Sequence, residues 1–246
     1  MANTSLINLT FNVGAPGADE AAVKRFNNWV FEVYEPMLLQ VDGVMGSDEY
    51  RITRETPEYP LSGNIRHHEN FDTWEAFDLT QQGNASKGEM EAWIKRRVIE
   101  YVWSVLYELI DSYSRETSSG NKDTRIDNAP IMHLEAYRFS PPEQEKYVKW
   151  FDEYGSKIFV PLFLESPGLK RYDWYKDTGR RRRTFTRESE YPPYLSIMYF
   201  DDIKSFDAYT KSAALVAFNK ALRTVFPYGL NYKWYVQYQL MKSWRK

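Results

Sequence analysis

The sequence predicts an α+β protein that contains two copies of one β-α-β-β-α-β unit, and three observations support this fold class. The segment FNNWVFEVYEPMLLQVDGV at 26–44 is similar to FDEYGSKIFVPLFLESPGL at 151–169. A stretch in which apolar and polar residues alternate precedes each segment, as is typical of a half-buried β-strand. Each copy also ends in similar residues, YELIDSYSR at 107–115 and YQLMKSWRK at 238–246.

An internal duplication explains these similarities. A shift of 125 residues gives 12 identities across residues 9–53, where about 3 are expected from average composition. The identities include Pro36 with Pro161 and Gly43 with Gly168. After a seven-residue insertion the shift becomes 132, so that EYP at 58–60 meets EYP at 190–192. We therefore interpret the chain as one unit written twice.

The same order of elements is expected in each copy. The first strand is INLTFNV or MHLEAYRF, and the first helix opens with acidic residues in its first turn. Pro36 and Pro161 should bend or break that helix, and Gly43 and Gly168 stand where a helix terminates. The later elements are strand two (46–53; 170–178), strand three (61–69; 194–200), a second helix, and a last strand (104–114; 232–244).

This order is that of a ferredoxin-like unit, an antiparallel sheet with both helices on one face. We predict a first repeat at 1–116, a linker at 117–129 and a second repeat at 130–246. Such a unit leaves its other sheet face bare, so the two copies are expected to pack sheet to sheet. A monomer with this pseudo-dimeric fold and a homodimer both remain open.

Composition limits the class of protein. With 43% apolar and 27% charged residues the chain is typical of a globular protein, and its net charge of −2 does not favour nucleic acid or acidic membranes. The absence of cysteine excludes disulfides and thiolate sites. Neither a signal peptide nor an apolar run of about 18 residues is recognisable, so a cytoplasmic protein is expected.

The helix ending in EPMLLQVDGV or VPLFLESPGL, followed by YFDDIKSFDAYTKSAALVAF, resembles the dimeric α/β-barrel superfamily. The superfamily includes EthD-like proteins, antibiotic-biosynthesis-type monooxygenases, stress-responsive barrel proteins and haem-binding relatives of chlorite dismutase. The resemblance covers nearly the whole chain and specifies architecture, because one fold hosts many functions. It implies a small-molecule protein that, if it is an enzyme, catalyses cofactor-independent oxidation or a related proton transfer.

The two copies differ at their first strand. We expect its apolar residues to pack on the helices and its polar residues to point into the barrel. In the first copy the polar residues are Asn8, Thr10 and Asn12, and their counterparts are His133, Glu135 and Tyr137.

His133, Glu135 and Tyr137 are the candidate catalytic residues. A histidine and a carboxylate on one face can form a proton-transfer pair, and a phenol can orient a ligand. The alternative is a buried polar network between the sheets. The candidate ligand-binding residues are aromatic, with one further histidine: Trp150, Phe206, Trp234, Tyr238 and His67.

Other polar features indicate less. His67 and His68 face opposite sides of a strand, and no metal-ligand spacing is present. Arg180–Arg183 lie on the inserted connection of the second copy and could seat an anion. We expect instead a mobile, solvated hairpin tip outside any cleft.

The sequence therefore favours a protein that binds a flat apolar or aromatic compound without a cofactor, with its pocket in the second repeat. Two alternatives stay open: a binding or stress-related module without catalysis, and a haem-binding barrel. The haem-binding relatives place their axial histidine beyond the first strand of the second copy, where this chain has no histidine.

Overall fold

A computed structural model describes most of the chain. The described residues are 6–54, 58–114, 129–139, 146, 149–150, 153, 155, 157–158, 160–166, 168–181, 191–225 and 230–246.

The first repeat follows the predicted order, with an added helix before its last strand. Its elements are β1 (Leu6–Gly14), α1 (Glu20–Trp29), a π-helical turn (Val30–Tyr34), α2 (Glu35–Leu38), β2 (Val44–Ile52), β3 (Ser62–His68), α3 (Phe71–Ala76), α4 (Gln81–Lys95) and β4 (Ile99–Ser114). Asp19 caps α1 by accepting from the amide of Ala21, and Asn70 caps α3 by accepting from the amide of Thr73.

The second repeat has the same order among its described residues. Its elements are β5 (Ile131–Phe139), α5 (Val160–Leu164), β6 (Leu169–Asp177), β7 (Tyr194–Phe200), α6 (Ile203–Thr210), α7 (Ala213–Val225) and β8 (Leu230–Arg245). Asp202 caps α6 in the same way as Asn70 caps α3.

The eight strands form a closed antiparallel barrel, in the order β1-β3-β2-β8-β5-β7-β6-β4. The register repeats between the copies: Leu9 is opposite Ile65, and Leu134 is opposite Ile197. Both predictions, the duplicated ferredoxin-like units and the barrel, are confirmed. The last strands begin earlier than predicted, at Ile99 and Leu230.

The first helix changes its geometry near Pro36, where the sequence predicts a bend or break. The first helix widens into a π-helical turn before Pro36, so that the proline falls in the first turn of α2, where its missing N–H costs nothing. Gly43 and Gly168 have φ of +78° and +76°, the left-handed conformation expected after a helix. A Cβ at Gly43 would lie 2.1 Å from Thr73 Cβ, so a side chain is excluded there.

The chain divides into two compact units, and each unit contains part of both last strands, β4 and β8. Unit 1 is Met1–Glu108, Asp177–Tyr191 and Leu240–Lys246, and unit 2 is Leu109–Lys176 and Pro192–Gln239. The predicted boundaries at 116 and 130 stay a prediction, because residues 117–128 lie outside the described ranges. Among the described residues, no helix is long and apolar enough to span a membrane.

Candidate functional site

A cavity of about 100 Å³ lies in unit 1, between the strands and the helices that cover them. The strands contribute the polar wall residues Asn8, Thr10, Asn12, Glu49, Asn64 and Arg66, and the helical segment 77–95 adds Asp78, Ser86, Lys87 and Glu91. The apolar part comes mainly from the helices and includes Phe26, Val30, Phe77, Met90 and Ile94. The cavity therefore combines apolar side chains with hydrogen-bonding groups, as small-molecule sites do.

This position corrects the predicted facing of the first strand. Asn8, Thr10 and Asn12 point toward the helices and line the cavity, whereas the prediction placed them inside the barrel. Phe11 lies on the other face, with its ring 6.3 Å from that of Trp103. The reason is that a closed eight-stranded barrel is filled by side chains, so its interior takes the apolar face of the strand. The polar face is accommodated where the helices leave a space.

A buried ion pair stands at the cavity. Arg66 donates to Oε1 of Glu35 at 2.9 Å, and Asn64 Nδ2 donates to the same oxygen at 2.8 Å. Glu35 is fully buried and Arg66 is 6% exposed. Three buried polar atoms of this group have no hydrogen-bond partner among the described residues: Glu35 Oε2, Asn64 Oδ1 and Arg66 Nε. Buried groups left in this state are costly unless something else satisfies them.

A second carboxyl group, that of Glu49, lies on the cavity wall. Burial raises the pKa of Glu49 well above its ordinary value, and the negative charge of Glu35 raises it further, although Arg66 opposes the shift. No described residue hydrogen-bonds to the Glu49 carboxyl. The cavity thus pairs a carboxylate held by an arginine with a carboxyl that favours its protonated form, and such pairs occur at acid–base sites.

Two tyrosines complete the polar side of the cavity. Burial raises the pKa of Tyr101 well above its ordinary value, and the hydroxyl of Tyr34 adds to the shift. The guanidinium of Arg66 lies 5.5 Å from the centre of the Tyr34 ring. The phenol of Tyr101 is therefore a neutral hydrogen-bonding group at physiological pH.

In unit 2 the structure brings two of the three predicted catalytic residues together. His133 Nε2 and Glu135 Oε1 are 3.2 Å apart, and His133 Nδ1 is buried without a hydrogen-bond partner among the described residues. The His133 ring packs 5.0 Å from Phe206 and 4.5 Å from Tyr235. The hydroxyl of Tyr137 instead pairs with Ser196 Oγ at 3.1 Å. The catalytic assignment of this trio stays a prediction.

The predicted ligand-binding residues are dispersed. Trp150 and Phe206 pack against the aromatic core of unit 2, while Trp234 and Tyr238 are buried. His67 lies in unit 1 and is held by Asp48, with Nε2 and Oδ2 2.9 Å apart. None of these five residues lines the unit 1 cavity. Their role in ligand binding also stays a prediction.

Large apolar residues of the second repeat occupy the positions that are polar around the cavity. The strand register and the duplication equate Glu49 with Trp174, Arg66 with Met198, and Glu35 with Val160. Trp174, Met198 and Val160 belong to the buried core of unit 2. The differences between the copies extend beyond the first strand: on strands two and three the first copy has Glu49 and Arg66 where the second has Trp174 and Met198. The sequence therefore also contains a signal for these residues of the first copy.

The unit 1 cavity is too small for a haem, which needs a large pocket beside its axial ligand. A cavity of about 100 Å³ is also smaller than the roughly 300 Å³ of sites for drug-sized ligands. No group of three or more metal-ligating side chains occurs within the described part of the chain.

The described part of the arginine run is anchored by specific partners. Arg180 pairs with Glu75 and lies 4.3 Å from the centre of the Phe71 ring. Arg181 makes two hydrogen bonds to the Asp177 carboxylate, at 2.7 and 2.6 Å. Neither residue lines the cavity, and Arg182 and Arg183 lie outside the described residues.

Comparisons with known proteins show the fold. No protein-family model matches the sequence, and no curated protein sequence does. Among solved structures, an anthrone oxidase-like protein has a TM-score of 0.63 at 11% identity, covering 100% of this chain and 95% of that one. A protein described as a monooxygenase from Fusobacterium nucleatum has a TM-score of 0.59 at 12% identity, with 99% and 95% covered. One described as a chlorite dismutase has 0.59 at 10% identity, with 96% and 94% covered.

The chain thus has the dimeric α/β-barrel fold, with both halves of the barrel supplied by one polypeptide. The identities of 10–12% show the fold and leave the chemistry to the residues of the site.

Proposed function

We propose that the protein binds a small aromatic or otherwise largely apolar compound in the unit 1 cavity and transfers a proton to or from it through Glu49. The observation that carries the proposal is the buried Glu49 carboxyl on the cavity wall, beside the Glu35–Arg66 ion pair. We also propose that the protein is cytoplasmic and that the proton transfer needs no cofactor.

The surroundings of Glu49 suit it to proton exchange. An ordinary glutamate is a weak base at neutral pH, and its strength rises with its pKa. Burial and the charge of Glu35 move the Glu49 pKa in that direction. The walls formed by Phe26, Val30 and Met90 limit the access of water, which strengthens the interaction between the carboxyl and a bound molecule.

The reaction class that agrees with this site is cofactor-independent oxidation. Ionised Glu49 would remove a proton from an activated methylene of the compound, and the electron-rich carbon left behind would react with O₂. The balance is R₂CH₂ + O₂ giving R₂C=O + H₂O, with the Glu49 proton returned to the departing oxygen. The fold similarity to an anthrone oxidase-like protein and to a protein described as a monooxygenase supports this class. A binding module without catalysis is the alternative.

The pair His133–Glu135 is a second candidate for the same chemistry. The contact of 3.2 Å and the buried, unpartnered Nδ1 of His133 favour it. In that case Glu135 would orient the imidazole and Nδ1 would exchange the proton. The two candidates lie in different units, so separate substitutions distinguish them.

Binding and oxygen consumption test the proposal. Trp29 and Trp93 pack around Phe26, with ring distances of 6.0 and 5.7 Å, so quenching of tryptophan fluorescence reports on the cavity. A panel of aromatic compounds should give saturable quenching, and a bound compound with an activated methylene should consume O₂. Glu49→Gln should lower kcat at least 100-fold, while His133→Asn and the exposed control Glu89→Gln leave it unchanged. If His133→Asn loses activity and Glu49→Gln does not, the catalytic site lies in unit 2. If compounds bind and none is turned over, the protein is a binding module.

A further inference from the structure

The second repeat fills with its own side chains the space that is a cavity in the first. The strand register sets the equivalence: Thr10 is opposite Asn64, and Glu135 is opposite Ser196. Asn12 therefore corresponds to Tyr137, Ser47 to Tyr172, and Asn64 to Ser196. A comparison of these positions shows what fits the space.

Two phenol groups converge on Ser196. The hydroxyl of Tyr137 lies 3.1 Å from Ser196 Oγ, and that of Tyr172 lies 2.8 Å from it. Both tyrosines are buried, at 4% and 5% exposure. The Tyr137 ring runs from the position of Asn12 to the position of Asn64, and both of those residues line the cavity of unit 1. A phenol ring thus occupies, in unit 2, the volume that corresponds to the cavity.

Unit 1 has a hydrogen-bonding group, Asn64, at the position of Ser196, but it has no aromatic ring at the position of Tyr137. Asn64 is 9% exposed, and its Nδ2 is used by Glu35, which leaves Oδ1 as a buried acceptor without a hydrogen-bond partner among the described residues. Asn12 and Ser47 are too short to reach it as the two tyrosines reach Ser196. An acceptor in this state is satisfied by a ligand that donates a hydrogen bond.

The size of the cavity limits the ligand to one ring. A buried apolar cavity of about 150 Å³ binds benzene, and the volume here is about 100 Å³ with an open side. A fused two-ring or three-ring compound would require the walls at Phe26 and Met90 to move.

We propose that the ligand of the unit 1 cavity is a single-ring phenol, whose hydroxyl donates to Asn64 Oδ1 and whose ring takes the place that Tyr137 has in unit 2. The chain then has one such site, because unit 2 occupies its own copy with Tyr137. This inference rests on the proposed function, since it names the class of compound for the same cavity.

Calorimetric titration with three arenes tests this inference. The probes are p-cresol, which has the shape of a tyrosine side chain, toluene, which lacks its hydroxyl, and 2-naphthol, which adds a ring. We expect p-cresol to bind with one molecule per chain and toluene to bind about 10- to 100-fold more weakly, because Asn64 Oδ1 stays unpaired. We expect 2-naphthol to bind at least 10-fold more weakly than p-cresol.

The variant Asn12→Tyr introduces the second repeat's own side chain into the cavity and should abolish p-cresol binding. The matched control is Asn84→Tyr, which adds the same side chain at an exposed asparagine of α4 and should leave binding unchanged. If Asn12→Tyr does not fold, the three arenes on the unaltered protein still decide. Equal binding of toluene, two p-cresol molecules per chain, or tighter binding of 2-naphthol would overturn the single-ring phenol and leave the cavity proposal intact. If no arene binds the unaltered protein, or if arenes bind equally to Asn12→Tyr, both proposals are overturned.

Discussion

The hydroxyl of Ser112 donates a hydrogen bond of 2.6 Å to Oδ1 of Asp173. The equivalent pair in the other copy has the same geometry, since Ser243 donates to Oδ1 of Asp48 at 2.5 Å. Ser112 and Ser243 belong to the last strands β4 and β8, whereas Asp173 and Asp48 belong to the second strands of the opposite repeats. The two aspartates are therefore identical between the copies because each fixes the last strand of the other copy.

Asp48→Asn should destabilise the protein by about 3 kcal/mol at pH 7, because it leaves the buried His67 and Arg245 contacts without a charged partner. Burial opposes ionisation of Asp48, but the hydrogen bond and charge of His67 and the charge of Arg245 outweigh burial and lower its pKa. Its contribution is thus complete above the ordinary value of 3.8 and is lost as the pH falls through the lowered folded value.

Urea unfolding at several pH values measures this effect. The difference between wild type and Asp48→Asn should be constant above about pH 5 and should shrink toward pH 2. Asp42→Asn, at a fully exposed aspartate, is the control and should change stability by less than about 0.5 kcal/mol. A difference that is the same at every pH would contradict the prediction.

The buried pair Glu35–Arg66 should be costly to break singly and cheap to replace as a pair. Glu35→Val or Arg66→Met alone should cost about 3–5 kcal/mol, since each leaves an uncompensated buried charge. The double variant installs Val160 and Met198 of the second repeat at the equivalent positions, and it should be more stable than either single variant. Chemical denaturation of the four proteins gives the coupling energy. Additive losses would show that the two charges do not interact.

Glu49→Gln should stabilise the protein at alkaline pH. The raised pKa of Glu49 means that the folded state retains a proton that the unfolded chain loses near the ordinary value of 4.5. Wild-type stability therefore falls as the pH rises from that value through the folded value, and the glutamine variant lacks this fall. We expect an advantage of about 1 kcal/mol or more at pH 8 and none at pH 4. Glu89→Gln, at an exposed glutamate, is the control and should change stability at pH 8 by less than about 0.5 kcal/mol.

Arg181→Ser should cost more stability than Arg180→Ser, and neither should cost more than about 1–2 kcal/mol. Arg181 makes a two-point contact with an Asp177 side chain that is 13% exposed, whereas both partners of the Arg180–Glu75 pair are about half exposed. Thermal unfolding in 0.1 M and 1 M salt checks this, because the exposed pair should be screened more strongly. A larger loss of stability for Arg180→Ser than for Arg181→Ser would contradict the prediction.

The fold could be predicted from the sequence because the duplication doubles every local signal. Pro36 and Pro161, Gly43 and Gly168, and the caps before α3 and α6 each occur twice at the same place. The facing of β1 could not be predicted from alternation, since period two defines two faces without saying which one the helices cover. The cavity depends on side-chain volume across three strands, and only the register brings Asn12, Asn64 and Glu49 together.

The sequence favours a site in the second copy because that copy is richer in ionisable groups, at His133 and Glu135. The copies also differ in the size of their side chains. Tyr137, Trp174 and Met198 fill the helix-facing layer of unit 2, and their smaller or polar counterparts in unit 1 leave room. When the two copies are compared, a smaller side chain that opens a cavity is therefore as informative as an added ionisable group.

The last residues to be synthesised complete the unit that is begun first. Residues Leu240–Lys246 belong to unit 1, where Ser243 and Arg245 hold Asp48. The ribosome makes them long after the other strands of that unit, when the whole of unit 2 has already been translated. During translation the first repeat must therefore wait with β2 unpaired along the edge that β8 later covers. Premature termination near Leu240 would damage the N-terminal half of the protein, and with it the half that contains the cavity.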